Sequence, residues 1–292
     1  MFKGSLVALI TPMKDDGSVD EKAYAEFVDW QIREGTQGVI PVGTTGESPT
    51  LSHAEHRRVV EIACEVSKGR IPVIAGAGSN STEEAIELTR HAKEAGADAA
   101  LIVTPYYNKP TQEGMFLHYS AIANSVDLPI IIYNIPGRSV VNMSVETMAR
   151  LAKHKNIIGV KDSTADLQRP ISQRLACGDD FCQLSGEDQT VISFLAAGGH
   201  GCISVTANLA PRLCSDMHAA WATGRVKDAI AIQDRLTPLH DSLFCETSPG
   251  PVKYAASLLG KTADRCRLPL APPMDATRAR VRAAMTHVGL LN

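Results

Sequence analysis

Eight short apolar segments, each separated from the next by a longer amphipathic segment, predict an α/β fold: a (β/α)8 or TIM barrel with a C-terminal helical extension. The apolar segments are rich in β-branched residues, as at 130–132, which is typical of parallel strands covered on both faces. No linker interrupts the alternation, and this favours one closed barrel over two separate domains. The length of 292 residues suffices, since such a barrel needs about 250.

The individual elements follow from this periodicity. Strands are predicted near residues 6–9, 38–42, 73–75, 99–103, 130–133, 157–161, 183–185 and 202–205, and helices near 21–34, 53–68, 82–95, 112–125, 145–154, 167–176 and 189–197. Ser52 with Glu55 and Ser81 with Glu84 predict capping boxes, in which side chains satisfy free N–H groups at a helix start. After the eighth strand the pattern is helical. We therefore expect a barrel carrying the active site over 1–211 and a helical region over 212–292.

Composition excludes several classes of protein. The formal net charge of −3 offers no basic surface for nucleic acid. No apolar stretch approaches the roughly 20 residues of a membrane span, and the N-terminal segment lacks a signal-peptide pattern. Seven scattered cysteines without a CxxC pair predict neither a disulfide framework nor a zinc site, and favour a cytoplasmic location.

A lysine and a tyrosine end two neighbouring predicted strands. Tyr133 follows an isoleucine run, and Lys161 ends the next strand along the chain. At the C-terminal rim of a barrel, an amine and a phenol would face one cavity, which indicates carbonyl chemistry through a lysine imine. Two amphipathic side chains reaching out of strand ends would give the same pattern. A nucleophilic lysine must be desolvated or lie near another cation, and Arg138 is a candidate for that cation.

Other polar groups follow the same ends of the strands. Thr44 and Thr45 lie in a glycine-bounded turn whose backbone N–H groups could hold a carboxylate, although a plain turn would look alike. Hydroxyls, phenols and the Arg138 guanidinium come after other strands, so the rim suits a small carboxylated carbonyl compound. The spacing of His53 and His56 could place a metal on one helical face, but no third ligand is evident and no metal site is predicted.

Several motifs together resemble one family. They are Gly43-Thr44-Thr45-Gly46-Glu47, Tyr106-Tyr107-Asn108-Lys109-Pro110, Tyr133-Asn134-Ile135-Pro136-Gly137-Arg138, Gly159-Val160-Lys161-Asp162, Ser204-Val205-Thr206-Ala207-Asn208 and Arg267-Leu268-Pro269-Leu270. The chain resembles the dihydrodipicolinate synthases, within the pyruvate-dependent aldolases that include N-acetylneuraminate lyase. Arg138 after Pro-Gly favours the synthases over the sugar-acid lyases. The segment 246–253 departs from the usual Asn-Pro-x-Pro-Val-Lys form.

The resemblance implies a reaction and a set of residue roles. Pyruvate would form an imine with Lys161 and condense with aspartate 4-semialdehyde, with no metal or organic cofactor. The roles it implies are proton transfer by Tyr133 with Thr44 and Tyr107 as a relay, and substrate binding by Thr45, Arg138, Gly186 and Val205.

The resemblance also implies an assembly and a regulator. Tyr107 would reach a neighbouring subunit's site in a dimer, usually paired into a homotetramer. Lysine is expected to inhibit at a site formed by Ser48, His53, His56, Asn80, Glu84 and Tyr106. The same residues would otherwise be capping and solvated surface. Two further alternatives stay open: an aldolase that splits a 2-keto-3-deoxy sugar acid, and a catalytically silent lysine-binding barrel.

Overall fold

The computed structural model describes residues 1–292 and contains eight parallel strands in one sheet. In chain order they are β1 (Gly4–Ala8), β2 (Val39–Ile40), β3 (Ile74–Gly76), β4 (Ala99–Val103), β5 (Ile130–Asn134), β6 (Ile157–Asp162), β7 (Cys182–Ser185) and β8 (Gly201–Ser204). Their order in the sheet is β2-β1-β8-β7-β6-β5-β4-β3, so the first and last strands of the chain are neighbours. This order confirms the predicted (β/α)8 barrel.

Twelve helices accompany the strands. They are α1 (Glu21–Arg33), α2 (His53–Ser67), α3 (Thr82–Glu94), α4 (Gln112–Ser125), α5 (Pro136–Ser139), α6 (Val145–Leu151), α7 (Arg169–Cys177), α8 (Val191–Ala196), α9 (Pro211–Ala222), α10 (Val226–Ser242), α11 (Gly250–Leu258) and α12 (Asp275–His287). All seven helices predicted between the strands are present, and their bounds differ from the prediction by at most three residues. None of the helices combines the length and the apolar character needed to cross a membrane.

Packing divides the chain into two compact units. One comprises residues 1–3 and 73–203, with strands β3 to β7 and the first part of β8. The other comprises residues 4–72 and 204–292, with β1, β2 and the C-terminal helices α9 to α12. The predicted division of the chain at residue 211, into barrel and helical region, stays a prediction.

Helix starts show where local sequence rules hold and where they fail. The capping box at α2 is confirmed, because Ser52 Oγ accepts from the Glu55 N–H and Glu55 Oε2 accepts from the Ser52 N–H. The one predicted at α3 is wrong, since Ser81 makes no side-chain cap. Ser79 outcompetes it: its hydroxyl donates to the Glu84 carboxylate and accepts from the Ser81 N–H at 3.0 Å.

Strands β5 and β6 set the register on which the site depends. The residues of β5 are all buried, as an isoleucine run in a covered parallel strand requires. The two strands pair in parallel, with Tyr133 opposite Lys161 and Asn134 opposite Asp162. Since both strands run the same way, their C-terminal residues lie at the same edge of the sheet. The pairing thus brings together the phenol and the amine that the sequence singled out.

Candidate active site

The Lys161 amine lies against the face of the Tyr133 ring. Its Nζ atom is 4.2 Å from the ring centroid, and each residue is only 6% exposed. Lys161 takes part in none of the ion pairs of the structure. A buried amine over an aromatic face, without a carboxylate bound to it, is desolvated as a nucleophilic lysine must be.

The carboxylate next in sequence is held elsewhere. Lys161 and Asp162 are consecutive in β6, so their side chains point to opposite faces of the sheet. Asp162 Oδ2 accepts from Arg169 Nε at 2.8 Å and from Gln173 Nε2 at 2.9 Å, and Oδ1 accepts from the Thr164 N–H at 3.0 Å. These bonds satisfy the buried Asp162 carboxylate and keep it from pairing with Lys161.

The backbone of Gly186 forms one wall beside the lysine. A Cβ atom at this position would lie 3.0 Å from Lys161 Cε and would collide with Ser163 Oγ. Only glycine therefore lets the loop after β7 lie this close to the lysine side chain. The structure places Gly186 beside Lys161, and its role in substrate binding stays a prediction.

The carboxyl group of Glu187 also lies close enough to the Lys161 amine to feel its charge. Burial raises the pKa of its carboxyl, opposed by the charge of Lys161 and by a hydrogen bond with Ser163. The nearby carboxylates of Asp188 and Asp162 raise the Glu187 pKa further. Its position directly after Gly186 at the end of a strand was the available signal. A half-buried acid near the Lys161 amine adds a second titratable group to the site.

Arg138 and Tyr107 both have solvent-exposed side chains. Arg138 lies in the last turn of the short helix α5, directly after β5, and is exposed. Tyr107 follows β4, is 90% exposed and has a φ of 72°, a left-handed conformation that is rare for an aromatic residue. An exposed ring held in such a conformation is available to another molecule and does not serve its own core.

In the second unit, Thr44 and Thr45 begin a 3-10 turn after β2. Thr45 is buried and Thr44 is partly exposed. The turn is closed by the Gly46 N–H donating to Gly43 O at 3.0 Å, and Thr11 Oγ1 donates to Gly46 O at 2.7 Å. The two threonines are thus presented by a turn with fixed hydrogen bonds.

Val205 lies in the same unit, at the start of the turn Thr206–Asn208. It is 7% exposed, and its carbonyl accepts from Asn208 Nδ2 at 2.9 Å. The same Asn208 amide donates to Ala8 O and accepts from the Ile10 N–H, which ties the turn to β1. These hydrogen bonds fasten the turn that begins at Val205 to β1 and the residues after it.

The residues expected to bind lysine fall into two groups. In the first unit, Asn80 Nδ2 donates to Tyr106 O at 3.2 Å, and burial together with the Glu84 carboxylate raises the pKa of the Tyr106 phenol. The structure brings these three residues together. Ser48, His53 and His56 lie in the second unit, on the turn Ser48–Thr50 and the first turn of α2.

Comparison with known proteins agrees with this geometry. Residues 1–288 match the dihydrodipicolinate synthetase family. The chain is 67% identical over 291 residues to a 4-hydroxy-tetrahydrodipicolinate synthase of Rhodospirillum centenum, with 100% of both chains covered. This chain belongs to the dihydrodipicolinate synthetase family. The family that the motifs suggested is thereby confirmed.

Solved structures of the family share the fold. The chloride-inhibited dihydrodipicolinate synthase of Acinetobacter baumannii, complexed with pyruvate, is 46% identical, with a TM-score of 0.97 and complete coverage of both chains. The dihydrodipicolinate synthase of Cyanidioschyzon merolae with lysine bound is 38% identical, with a TM-score of 0.96 and 99% of each chain covered. These similarities confirm the TIM-barrel fold class. The roles of individual residues stay predictions.

Proposed function

We propose that this enzyme condenses pyruvate with L-aspartate 4-semialdehyde to give 4-hydroxy-tetrahydrodipicolinate, the first committed step of diaminopimelate and lysine biosynthesis. The observation that carries the proposal is the Lys161 amine, buried against the Tyr133 ring and outside any ion pair. Membership of the family and the pyruvate-bound relative support the choice of substrates.

The first half of the reaction uses Lys161 as nucleophile and electron sink. Its amine adds to the ketone carbon of pyruvate, water leaves, and a protonated imine forms. Loss of a methyl proton to a nearby base then gives the enamine, while the electron pair moves to the imine nitrogen. Lysine supplies the electron sink itself, so the proposal requires no metal or organic cofactor.

The second half joins the two substrates. The enamine carbon attacks the aldehyde of aspartate semialdehyde, and the resulting oxygen takes a proton. The amine of the semialdehyde then attacks the imine carbon and displaces Lys161, which closes the ring. One water is released in the whole reaction, from the imine step.

The remaining roles are carried over from the family resemblance. Tyr133 transfers protons with Thr44 and Tyr107 as its relay, because a phenol alone is a weak acid at neutral pH. Arg138 holds a carboxylate of the semialdehyde in a bidentate manner. Thr45 holds the pyruvate carboxylate, and the backbones of Gly186 and Val205 shape the pocket. The burial of Thr45 and the exposure of Arg138 suit these roles.

The enzyme is further proposed to be a cytoplasmic homotetramer, built as a dimer of dimers. The 90% exposed ring of Tyr107 suits the dimer contact. A second surface lies on and before α7, where Leu167, Ile171 and Leu175 are exposed at a four-residue spacing. Such a stripe on one helical face is suited to pack against a second copy.

Trapping with borohydride tests the function. Reduction in the presence of pyruvate is expected to fix one pyruvate-derived adduct on Lys161, measured by intact mass and peptide mapping. Turnover of pyruvate with aspartate semialdehyde is expected, and none with N-acetylneuraminate. An adduct on a different lysine, or none, would refute the imine mechanism.

Lysine is proposed as an inhibitor that binds Ser48, His53, His56, Asn80, Glu84 and Tyr106. The lysine-bound relative and the proximity of Glu84, Asn80 and Tyr106 support this site. Tyr106 adjoins the relay residue Tyr107, which offers a route from the bound ligand to proton transfer. Calorimetry is expected to show millimolar or tighter binding that is weakened by Glu84→Ala. Equal binding to both proteins, or to neither, would leave these residues as surface only.

A further inference from the structure

A buried carboxylate ends the turn that carries the two threonines. Glu47 follows the turn Thr44–Gly46, is 1% exposed and has a φ of 59°. Its Oε1 atom lies 2.6 Å from Nζ of Lys253, and the side chains of both residues are completely buried. Lys253 belongs to α11.

The second oxygen of Glu47 is bound by another part of the C-terminal region. Glu47 Oε2 accepts from the backbone N–H of Arg267 at 2.8 Å. The Arg267 guanidinium donates to Thr50 O at 2.7 Å and to Glu55 Oε2 at 2.8 Å. The segment 47–55, which follows the turn, is thus bound to Lys253 at its first residue and to Arg267 along its length.

Such an ion pair is better suited to fixing geometry than to adding stability. Removing two charges from water costs about as much as their attraction returns, so well-packed apolar residues would often stabilise a fold equally well. The left-handed backbone of Glu47 also persists only where the surroundings hold it. The charged pair is instead suited to fix one orientation of Glu47 and of the turn that precedes it.

We propose that Lys253 and Arg267 are positioning residues that hold Glu47 and the segment 47–55, and thereby fix Thr44 and Thr45 for the carboxylate of pyruvate. The proposal rests on the proposed function, in which Thr45 holds that carboxylate. Weakened positioning acts most strongly before the covalent bond exists, because the imine afterwards tethers pyruvate to Lys161. We therefore expect KM for pyruvate to change more than kcat.

The first test separates positioning from stability. Lys253→Met leaves Glu47 buried without its partner, whereas Glu47→Gln with Lys253→Met removes both charges at nearly constant volume. The double variant is expected to regain most of the urea midpoint that the single variant loses. Its KM for pyruvate is nonetheless expected to stay about 10-fold or more above that of the unmodified enzyme, as for the loss of one charge-assisted hydrogen bond, with kcat within about 3-fold.

Two further variants complete the design. Arg33→Met removes an exposed partner of Asp29 in the same unit and is expected to leave KM unchanged. Arg267→Gln keeps the backbone bond to Glu47 but loses the guanidinium contacts, so a smaller rise in KM is expected. This variant decides the matter if the others do not fold, because its side chain is partly exposed.

The outcomes separate the two proposals. The network would be structural only if the double variant regained its stability and its KM for pyruvate returned to that of the unmodified enzyme. An Arg267→Gln variant with unchanged KM would show the same. Borohydride trapping reports on the function itself. If the unmodified enzyme forms no pyruvate adduct on Lys161, the proposed function fails. If all variants form it with the same dependence on pyruvate concentration, only the positioning role fails.

Discussion

Two buried lysines in this enzyme differ in what their amines contact. Lys161, 6% exposed, lies over the Tyr133 ring, while Lys253, completely buried, is bonded to Glu47 at 2.6 Å. Burial alone therefore does not distinguish a reactive lysine from a structural one. The partner does: an amine bound to a carboxylate is committed to that ion pair, whereas an amine over an aromatic face can react with a carbonyl compound.

Strand geometry produces this difference. Asp162 follows Lys161 directly, yet alternation along β6 turns it to the other face, where Arg169 and Gln173 bind it. The partner of Lys253 comes instead from a position 206 residues earlier in the chain. Local geometry thus keeps Lys161, the proposed nucleophile, out of an ion pair with Asp162, whereas the tertiary fold brings Lys253 its partner.

Replacing each lysine in turn should give the largest difference in activity. Lys161→Ala is expected to lower kcat by about 10³-fold or more, as when a covalent nucleophile is lost, and to abolish borohydride trapping. Lys253→Met is expected to keep the adduct at saturating pyruvate, since its amine does not react. Trapped pyruvate in the Lys161→Ala protein would contradict this distinction.

The close approach of Gly186 should matter next. Gly186→Ala would place a methyl group against Ser163 and 3.0 Å from Lys161 Cε, so the lysine must shift. The required shift of Lys161 is a few tenths of an ångström, so we expect a fall in kcat/KM of about 10-fold, less than the roughly 10²-fold effect of a 1 Å misplacement. Gly250→Ala is the matched control, because its added methyl group meets nothing closer than 3.6 Å. Equal activity of the two variants would show that Lys161 tolerates displacement.

Replacing Glu187, a carboxyl without a lysine partner at ion-pair distance, should give the smallest effect, on the pH dependence of stability. Burial raises the pKa of the Glu187 carboxyl above 4.5 in the folded state. Between pH 4.5 and that raised pKa, the carboxyl is protonated in the folded protein but has lost its proton in the unfolded chain. The free energy of unfolding therefore falls as the pH rises through this window. Glu187→Gln removes this pH dependence. We expect the free energies of unfolding of the two proteins to diverge by about 1 kcal/mol or less over the window. Urea unfolding at pH 4.5 and pH 7 measures it, and identical pH dependence of the two proteins would contradict the raised pKa.

The sequence predicted features that depend on neighbours along the chain. Apolar runs located β5 and β6, and their parallel pairing then placed Tyr133 beside Lys161. The capping box at Ser81 failed because Ser79, two residues away, binds Glu84 instead. Even a local rule is therefore decided by competition between nearby donors.

Features that join distant positions could not be predicted in this way. Glu47 and Arg267 both lie in the family motifs, but no periodicity of the sequence pairs residues 220 positions apart. The raised pKa of Glu187 could not be predicted for another reason, since its half-buried environment arises only when β6 and β7 lie side by side.

Glu47 and Arg267 are far apart in the chain, so the contact between them forms long after Glu47 has been synthesised. A ribosome that adds roughly 5–20 residues per second needs about 10–45 s to make the 220 residues between them. During that interval the turn bearing Thr44 and Thr45 has been made, but the residues that fasten it have not. The bonds that hold Glu47 can therefore form only after residues 253 and 267 have been made, and a chain that stops before residue 253 lacks both.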